Sequence, residues 1–221
     1  MTRFDKIRAL VFEGGGVKGI AHCGALRHLE YLGLNISIIK YLAGTSAGSQ
    51  VATLIACGYT IEEISTILLD LPLNDFKDKS CGFVRNLKRL ICNYGIYKGD
   101  FMEKYMDELI AEKLIKKNAT FMDLYLQTDK TLRITGTCLT TSKLEYFDVH
   151  TTPDMSLSKA IRISTSIPLF YVAVEYNDKH YVDGGIIRNL PVLAFPNKPS
   201  IFFTFKDEQP KETDVSKVTN I

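Results

Sequence analysis

Short apolar runs alternate with amphipathic stretches along the first quarter of the chain. The run RALVFE ends in three glycines, which is typical of a buried strand that leads into a tight turn. The next stretch places apolar side chains at helical spacing, and Gly33 stands where a helix commonly ends. The pattern then repeats, with an apolar run before Gly44 and a small, apolar stretch before Gly58. The predicted elements are a strand at 8–13, a helix at 17–32, a strand at 36–43 and a helix at 47–57.

This alternation predicts an α/β fold, and a right-handed crossover makes the first two strands parallel. Farther along, Thr60 and Glu63 have the spacing of a capping box, and Pro72 ends the helix that they begin. Asn177 and Asp178 form the turn signal of a hairpin. The remaining predicted elements are helices at 61–71, 101–116, 123–128 and 157–164, strands at 132–140 and 200–206, and a hairpin of 171–176 with 179–182.

Composition indicates an ordinary globular protein. The 221 residues are 46% hydrophobic and 24% charged, which suits one domain over 1–221 with a core at about 8–206 and a flexible polar tail at 207–221. A net charge of +2 gives no field that would attract nucleic acid. The five cysteines are odd in number and lack C-x-x-C spacing, so we expect neither disulfides nor a metal site. With no apolar run of about 20 residues, the sequence predicts a cytoplasmic protein.

Gly44, Thr45, Ser46, Ala47 and Gly48 form a G-x-S-x-G motif between a predicted strand and a predicted helix. A serine on such a sharp turn is exposed at the edge of the sheet, and the flanking glycines permit the strained backbone. The helix that follows directs its free N–H groups and its positive dipole end at the serine. The motif therefore predicts a nucleophile; a serine that only caps the helix is the structural alternative.

Gly14, Gly15, Gly16, Lys18 and Gly19 lie at the preceding strand-to-helix junction, where glycine N–H groups form an anion site. The string also satisfies G-x-G-x-x-G, but the second predicted strand ends without the carboxylate that would hold a ribose. It is not a Walker A loop, because Lys18 is followed by glycine. A lysine in the first turn opposes the helix dipole, which favours a nearby anion over a merely solvated side chain.

Asp183, Gly184 and Gly185 follow another strand-like run. An aspartate before two glycines is often a turn residue that bonds to its own backbone. Because the chain already offers a serine that lacks a base, Asp183 is a candidate for that base.

Together the three motifs resemble those of the patatin-like phospholipase family, over residues 8 to about 191. Smaller similarities lie at 159–164, before Ile167 and Pro168, and at 189–191. The resemblance implies a three-layer α/β/α fold with a central, mostly parallel sheet. Two features depart from it: Lys18 stands where the family more often has arginine, and the chain continues only a short way beyond Gly185, so helices that cover that edge of the sheet would be missing.

The resemblance also implies a function without a cofactor. Ser46 and Asp183 would form a dyad that hydrolyses fatty-acyl esters of phospholipids or lysophospholipids through an acyl-enzyme. The loop from Gly14 to Gly19 would supply the oxyanion hole, with the N–H groups of Gly15 and Gly16 joined by that of Ala47. An ordinary aspartate is a weak base for a serine hydroxyl, so burial would have to raise its pKa.

Three alternatives remain open at this point. A Ser–His–Asp triad would need one of four histidines, of which His22 and His28 fall on a predicted helix, His180 alternates away from Asp183 along its strand, and His150 lies in a loop. The glycine loop could instead bind a nucleotide or dinucleotide. A catalytically inactive lipid-binding module of the same fold is the third alternative. The sequence contains no calcium-loop pattern, so calcium independence is expected.

The segment 77–98 is rich in lysine and arginine, and 83–94 within it is amphipathic. Such a helix can lie on anionic lipid as a peripheral membrane contact. The alternative is a helix that packs on the core and turns its charged face to solvent.

Overall fold

A computed structural model describes residues 4–71 and 95–206. The predicted tail at 207–221 and most of the basic segment lie outside the described residues. The first half contains two strands and three helices: β1 (Ala9–Phe12), α1 (Ile20–Tyr31), β2 (Tyr41–Gly44), α2 (Ala47–Cys57) and α3 (Ile61–Leu69). The second half contains β3 (Gly95–Tyr97), α4 (Asp100–Leu114), α5 (Phe121–Thr128), β4 (Thr131–Cys138), β5 (Lys143–Phe147), α6 (Leu157–Ser164), β6 (Leu169–Tyr171), β7 (Val174–Tyr176), β8 (Lys179–Asp183) and β9 (Ser200–Phe203).

The fold is α/β, with a central, mostly parallel sheet flanked by helices, as predicted. Within the described residues the sheet has seven strands in the order β7-β8-β4-β2-β1-β9, with β5 also paired to β4. Strands β4, β2, β1 and β9 are mutually parallel, and β8, β7 and β5 add antiparallel pairs at one end. Strands β3 and β6 form a separate two-stranded sheet. The parallel centre places the carboxyl ends of β1 and β2 side by side, where both glycine motifs begin.

Alternate residues of the central strands face two different layers. Leu10, Phe12 and Leu42 belong to the large core that the helices cover. Ala9 and Val11 face the other way and pack with Phe195 in a smaller cluster. In the described part of the chain, the segment around 190–195 covers this second face.

Most local predictions are confirmed. Thr60 and Glu63 form the capping box, in which the Thr60 N–H donates to Glu63 Oε2 over 2.6 Å. Gly33 and Gly58 take positive φ angles of 96° and 95° at the ends of their helices. Strands β7 and β8 pair antiparallel across the turn at 177–178.

Four local predictions are wrong or incomplete. The predicted strand at 36–43 is a 3-10 turn at Ile36–Ile38 followed by β2, because the Asn35 side chain accepts the Ser37 N–H over 3.0 Å and starts a turn. The first helix begins as a 3-10 turn at Gly16–Gly19. Tyr171, placed in the hairpin, belongs to β6 instead. Strands β3 and β5 were not predicted, since neither has a run of apolar side chains.

Candidate active site

Ser46 occupies a sharp turn between β2 and α2 with a strained backbone. Its φ and ψ are 50° and −125°, a conformation that non-glycine residues avoid. The predicted flanking glycines are needed for close approach: a Cβ on Gly44 would lie 2.2 Å from the Gly48 carbonyl oxygen, and one on Gly48 would lie 2.5 Å from that of Phe12. Thr45 is buried and shares a hydrogen bond of 2.7 Å with the Thr135 hydroxyl on β4. The turn is therefore fixed against two neighbouring strands.

Asp183 ends β8 and contacts Ser46. The Ser46 hydroxyl lies close enough to the Asp183 carboxylate to affect its pKa, and the Gly185 N–H donates to Asp183 Oδ1 over 2.7 Å. Asp183 is 5% exposed, and this burial raises the pKa of its carboxylate to about 6, although the Gly185 N–H and the Ser46 hydroxyl act in the opposite direction. Gly184 passes so close to β4 that a Cβ would lie 2.2 Å from Thr135 Oγ1.

The end of α6 supports both members of this pair. The Ser46 N–H donates to Ser164 Oγ over 2.9 Å, and the Asp183 N–H donates to the Ser166 carbonyl oxygen over 2.9 Å. Arg162, which is buried, donates to Ser166 Oγ and to the Lys98 carbonyl oxygen. These contacts connect the site to the small sheet of β3 and β6.

The glycine loop lies beside the turn, and its members differ in their geometry. The Gly14 N–H already donates to the Asn189 carbonyl oxygen over 3.2 Å, and the Lys18 N–H donates to that of Gly15 over 3.0 Å. Within the described part of the chain, the N–H groups of Gly15 and Gly16 have no hydrogen-bond acceptor, and Gly16 has a positive φ of 54°. The donors available for an anion are thus those of Gly15 and Gly16 rather than that of Gly14.

The other two predicted loop residues have different surroundings. The Lys18 side chain is exposed in the 3-10 turn. Gly19 is buried against α2, where an added Cβ would lie 3.0 Å from Ala47 Cβ. Gly19 therefore permits close packing, while Ala47 begins α2 with an N–H that no preceding helical carbonyl accepts.

A polar network behind the loop was not predicted as part of the site. Asn189 Nδ2 donates to the Gly14 carbonyl oxygen over 2.8 Å and to Glu13 Oε1 over 3.1 Å. Glu13 Oε2 accepts the Phe205 N–H over 2.7 Å. The signal for Asn189 was present in the resemblance at 189–191, but Glu13 gave none, since a carboxylate after a strand is common.

The histidines do not complete a triad. All four lie within the described residues, and none is hydrogen-bonded to Ser46 or Asp183. His22 is buried, and its Nε2 donates to the Glu13 carbonyl oxygen over 2.9 Å; burial lowers its pKa. His28, His150 and His180 are exposed.

An apolar cavity of about 550 Å³ opens beside Ser46. Its wall combines the glycine loop, the start of α2 and apolar side chains from α1, α3, α4 and β6. The apolar members include Ile20, Leu68, Met102 and Phe170. A cavity of this size and character suits a ligand with a long apolar part. Among residues 4–71 and 95–206, no cluster of three histidine, cysteine or acidic side chains could hold a metal ion.

The profile of the family described as patatin-like phospholipase matches residues 10–196. The chain belongs to this family. Among its relatives, an uncharacterised protein of Acanthamoeba polyphaga mimivirus (R571) is 33% identical over 86% of this chain. A probable lipid hydrolase of Invertebrate iridescent virus 6 (463L) is 31% identical, also over 86% of this chain. The chain spans 62% and 65% of the length of these two relatives.

A solved structure agrees with the patatin-like assignment at the level of the fold. VipD from Legionella pneumophila superposes with a TM-score of 0.71 and 17% sequence identity, over 89% of this chain and 49% of that one. No helix in the described ranges is long and apolar enough to cross a bilayer.

Proposed function

We propose that this patatin-like chain hydrolyses fatty-acyl esters of lipids, with Ser46 as the nucleophile and Asp183 as the base. One observation carries the proposal: Ser46, in the wall of an apolar cavity, adjoins the buried Asp183 carboxylate, whose pKa is raised to about 6. A carboxylate with this pKa is ionised at neutral pH and is a stronger base than an ordinary aspartate. Phospholipids and lysophospholipids are the substrates that we propose first.

The reaction proceeds in two steps, acylation of Ser46 and hydrolysis of the acyl-enzyme. Ser46 Oγ attacks the ester carbonyl while its proton passes to Asp183, and the oxyanion accepts hydrogen bonds from Gly15, Gly16 and Ala47. Collapse of this intermediate breaks the ester bond, and Asp183 returns the proton to the departing alcohol. Asp183 then takes a proton from water, which attacks the acyl-enzyme and releases the fatty acid as Ser46 regains its proton.

Labelling with a fluorophosphonate tests the nucleophile. Wild type, Ser46→Ala and Asp183→Asn are treated with the probe and examined by intact mass, beside hydrolysis of a long-chain nitrophenyl ester. We expect one adduct on wild type, none on Ser46→Ala, and loss of hydrolysis in both variants. Ser37→Ala and Asp178→Asn, at exposed positions, serve as matched controls that keep both properties.

Two other outcomes would contradict the proposal. A folded wild type that forms no adduct would make the site a lipid-binding module without catalysis. Hydrolysis that persists in Ser46→Ala would place the nucleophile elsewhere.

A further inference from the structure

Gln50 places a polar amide in the wall of an otherwise largely apolar cavity. The residue lies on α2, is 7% exposed, and lines the same cavity as Ser46, Leu68 and Phe170. Its Nε2 donates to the sulfur of Met102 over 3.6 Å. Thioether sulfur is a weak acceptor, so this contact replaces little of what water would provide.

The hydrogen-bonding capacity of the amide is largely unused. Within the described ranges, Met102 is the one hydrogen-bond partner of the Gln50 side chain. A primary amide has two N–H donors and a carbonyl oxygen that accepts, and a buried amide normally has partners for them. Thr165, another polar residue of the wall, differs because its hydroxyl donates to the Ile161 carbonyl oxygen over 2.9 Å. The free capacity at Gln50 therefore faces the ligand space.

The position of Gln50 relative to Ser46 limits which part of a ligand it meets. Ser46 immediately precedes α2 and Gln50 lies in its first turn, about 6 Å farther along the helix axis, and both line the cavity. A group bound by Gln50 must therefore lie within a few bonds of the carbonyl that Ser46 attacks. Because the surrounding wall is apolar, a neutral group fits better there than an ionised one.

We propose that Gln50 recognises a hydroxyl group that the substrate carries close to its scissile ester. A hydroxyl both donates and accepts, which matches the amide carbonyl and N–H together. The group has two chemical sources: a hydroxylated acyl chain, or the free glycerol hydroxyl beside the ester of a lysophospholipid. The proposal rests on the proposed function, because it assumes that Ser46 attacks an ester in this cavity.

The test compares substrates that differ in one hydroxyl. For the acyl source, nitrophenyl dodecanoate is used with a hydroxyl on the third carbon, with a hydroxyl on the terminal carbon, and without one. For the glycerol source, a lysophosphatidylcholine is compared with its deoxy analogue. Each is measured as kcat/KM on wild type, Gln50→Leu, Gln50→Met and Met102→Leu, and fluorophosphonate labelling of Ser46 is measured in parallel.

We expect wild type to prefer the 3-hydroxy ester, the lysophosphatidylcholine or both over the partner without that hydroxyl by roughly 3- to 10-fold, which is the worth of one net hydrogen bond, and to gain nothing from the terminal hydroxyl. Gln50→Leu and Gln50→Met should bring this ratio to about 1, whereas Met102→Leu should keep it because the amide remains. A response in the acyl series or in the glycerol pair identifies the source. Equal rates within every pair on wild type would overturn the role of Gln50 but leave the proposed function intact. A preference that survives in Gln50→Leu would do the same. Absence of both labelling and hydrolysis in wild type would overturn the proposed function with it.

Discussion

The backbone N–H of Ser46 donates to the side-chain oxygen of Ser164 over 2.9 Å, across 118 residues of sequence. Two residues after Ser164, the Ser166 carbonyl oxygen accepts the Asp183 N–H over 2.9 Å. The end of α6 is thus bonded to the backbone of both proposed catalytic residues. It sets their separation, although neither bond involves a reacting atom.

Ser164→Ala removes the acceptor and leaves the buried Ser46 N–H without a partner. We expect the free energy of unfolding to fall by about 1–3 kcal/mol, the cost of an unsatisfied buried polar group. The strained turn at Ser46 should also relax, so kcat should fall while KM changes little. Urea unfolding and steady-state kinetics measure the two effects.

Ser158→Ala is the matched control for this change. Ser158 is a buried serine on the same helix. Its hydroxyl makes a long, weak hydrogen bond of 3.4 Å to the Ser156 hydroxyl. We expect little change in kcat there, and partial rescue in Ser164→Thr, which keeps a hydroxyl. A Ser164→Ala enzyme with the kcat of wild type would show that the turn does not depend on this bond.

The raised pKa of Asp183 predicts the pH dependence of hydrolysis. The base must be ionised, and burial raises its pKa to about 6, so kcat/KM should be level above pH 7 and fall roughly tenfold per unit well below pH 6. The measurement is kcat/KM of a soluble long-chain ester from pH 4.5 to 8.5. A midpoint near 4 would mean that the carboxylate is solvated in the working enzyme.

The raised pKa of Asp183 also predicts that its ionised carboxylate lowers the free energy of unfolding at neutral pH. A pKa raised from 3.8 to about 6 means that ionisation opposes folding, and the cost approaches about 3 kcal/mol above pH 6. The protonated carboxyl carries no such cost below pH 3.8, and this contribution to the free energy of unfolding is lost as the pH rises through 6. Asp183→Asn should therefore unfold at higher urea than wild type at pH 8.

The comparison is repeated at pH 4, where the gain of Asp183→Asn should largely disappear. Asp178→Asn is the control, because Asp178 is exposed in the β7–β8 turn and should show no such pH-dependent difference. If Asp183→Asn gained the same stability at both pH values, the gain would come from the packing of the amide and not from removal of a buried charge.

Local sequence patterns predicted most of the helices, strands and turns. The contacts between residues far apart in the sequence could not be predicted in this way. The turns at Ser46 and Asp183 were predictable because glycines and strand ends mark them. Glu13 was not predictable as part of the site, since its partners lie more than a hundred residues away, and Ser164 was marked only by the resemblance at 159–164. A local pattern can also mislead. The apolar run that includes Ile36–Ile38 favours a strand, but the hydrogen bond from the Ser37 N–H to the Asn35 side chain starts a 3-10 turn there.

Two glycines of the site should respond differently to alanine, because one is limited by contacts and the other by its backbone angle. A Cβ on Gly48 would lie 2.5 Å from the Phe12 carbonyl oxygen, within backbone that cannot move without separating α2 from β1. We expect Gly48→Ala to give little folded protein. No described residue lies within 4 Å of a Cβ added to Gly16, but the φ of 54° at Gly16 is left-handed. Gly16→Ala should fold, with a loss of about 1 kcal/mol and a lower kcat, since relief of the strain turns the Gly16 N–H away from the oxyanion.

Circular dichroism, urea unfolding and ester hydrolysis on both variants measure this contrast. Gly24→Ala is the control, because Gly24 is an exposed helical glycine with no described residue within 4 Å of an added Cβ, and the variant should gain stability without a change in kcat. A Gly16→Ala enzyme with undiminished kcat would remove Gly16 from the oxyanion hole and leave Gly15 and Ala47 as its donors. A stable Gly48→Ala enzyme would mean that α2 can move from β1, and that the turn at Ser46 does not require this close approach.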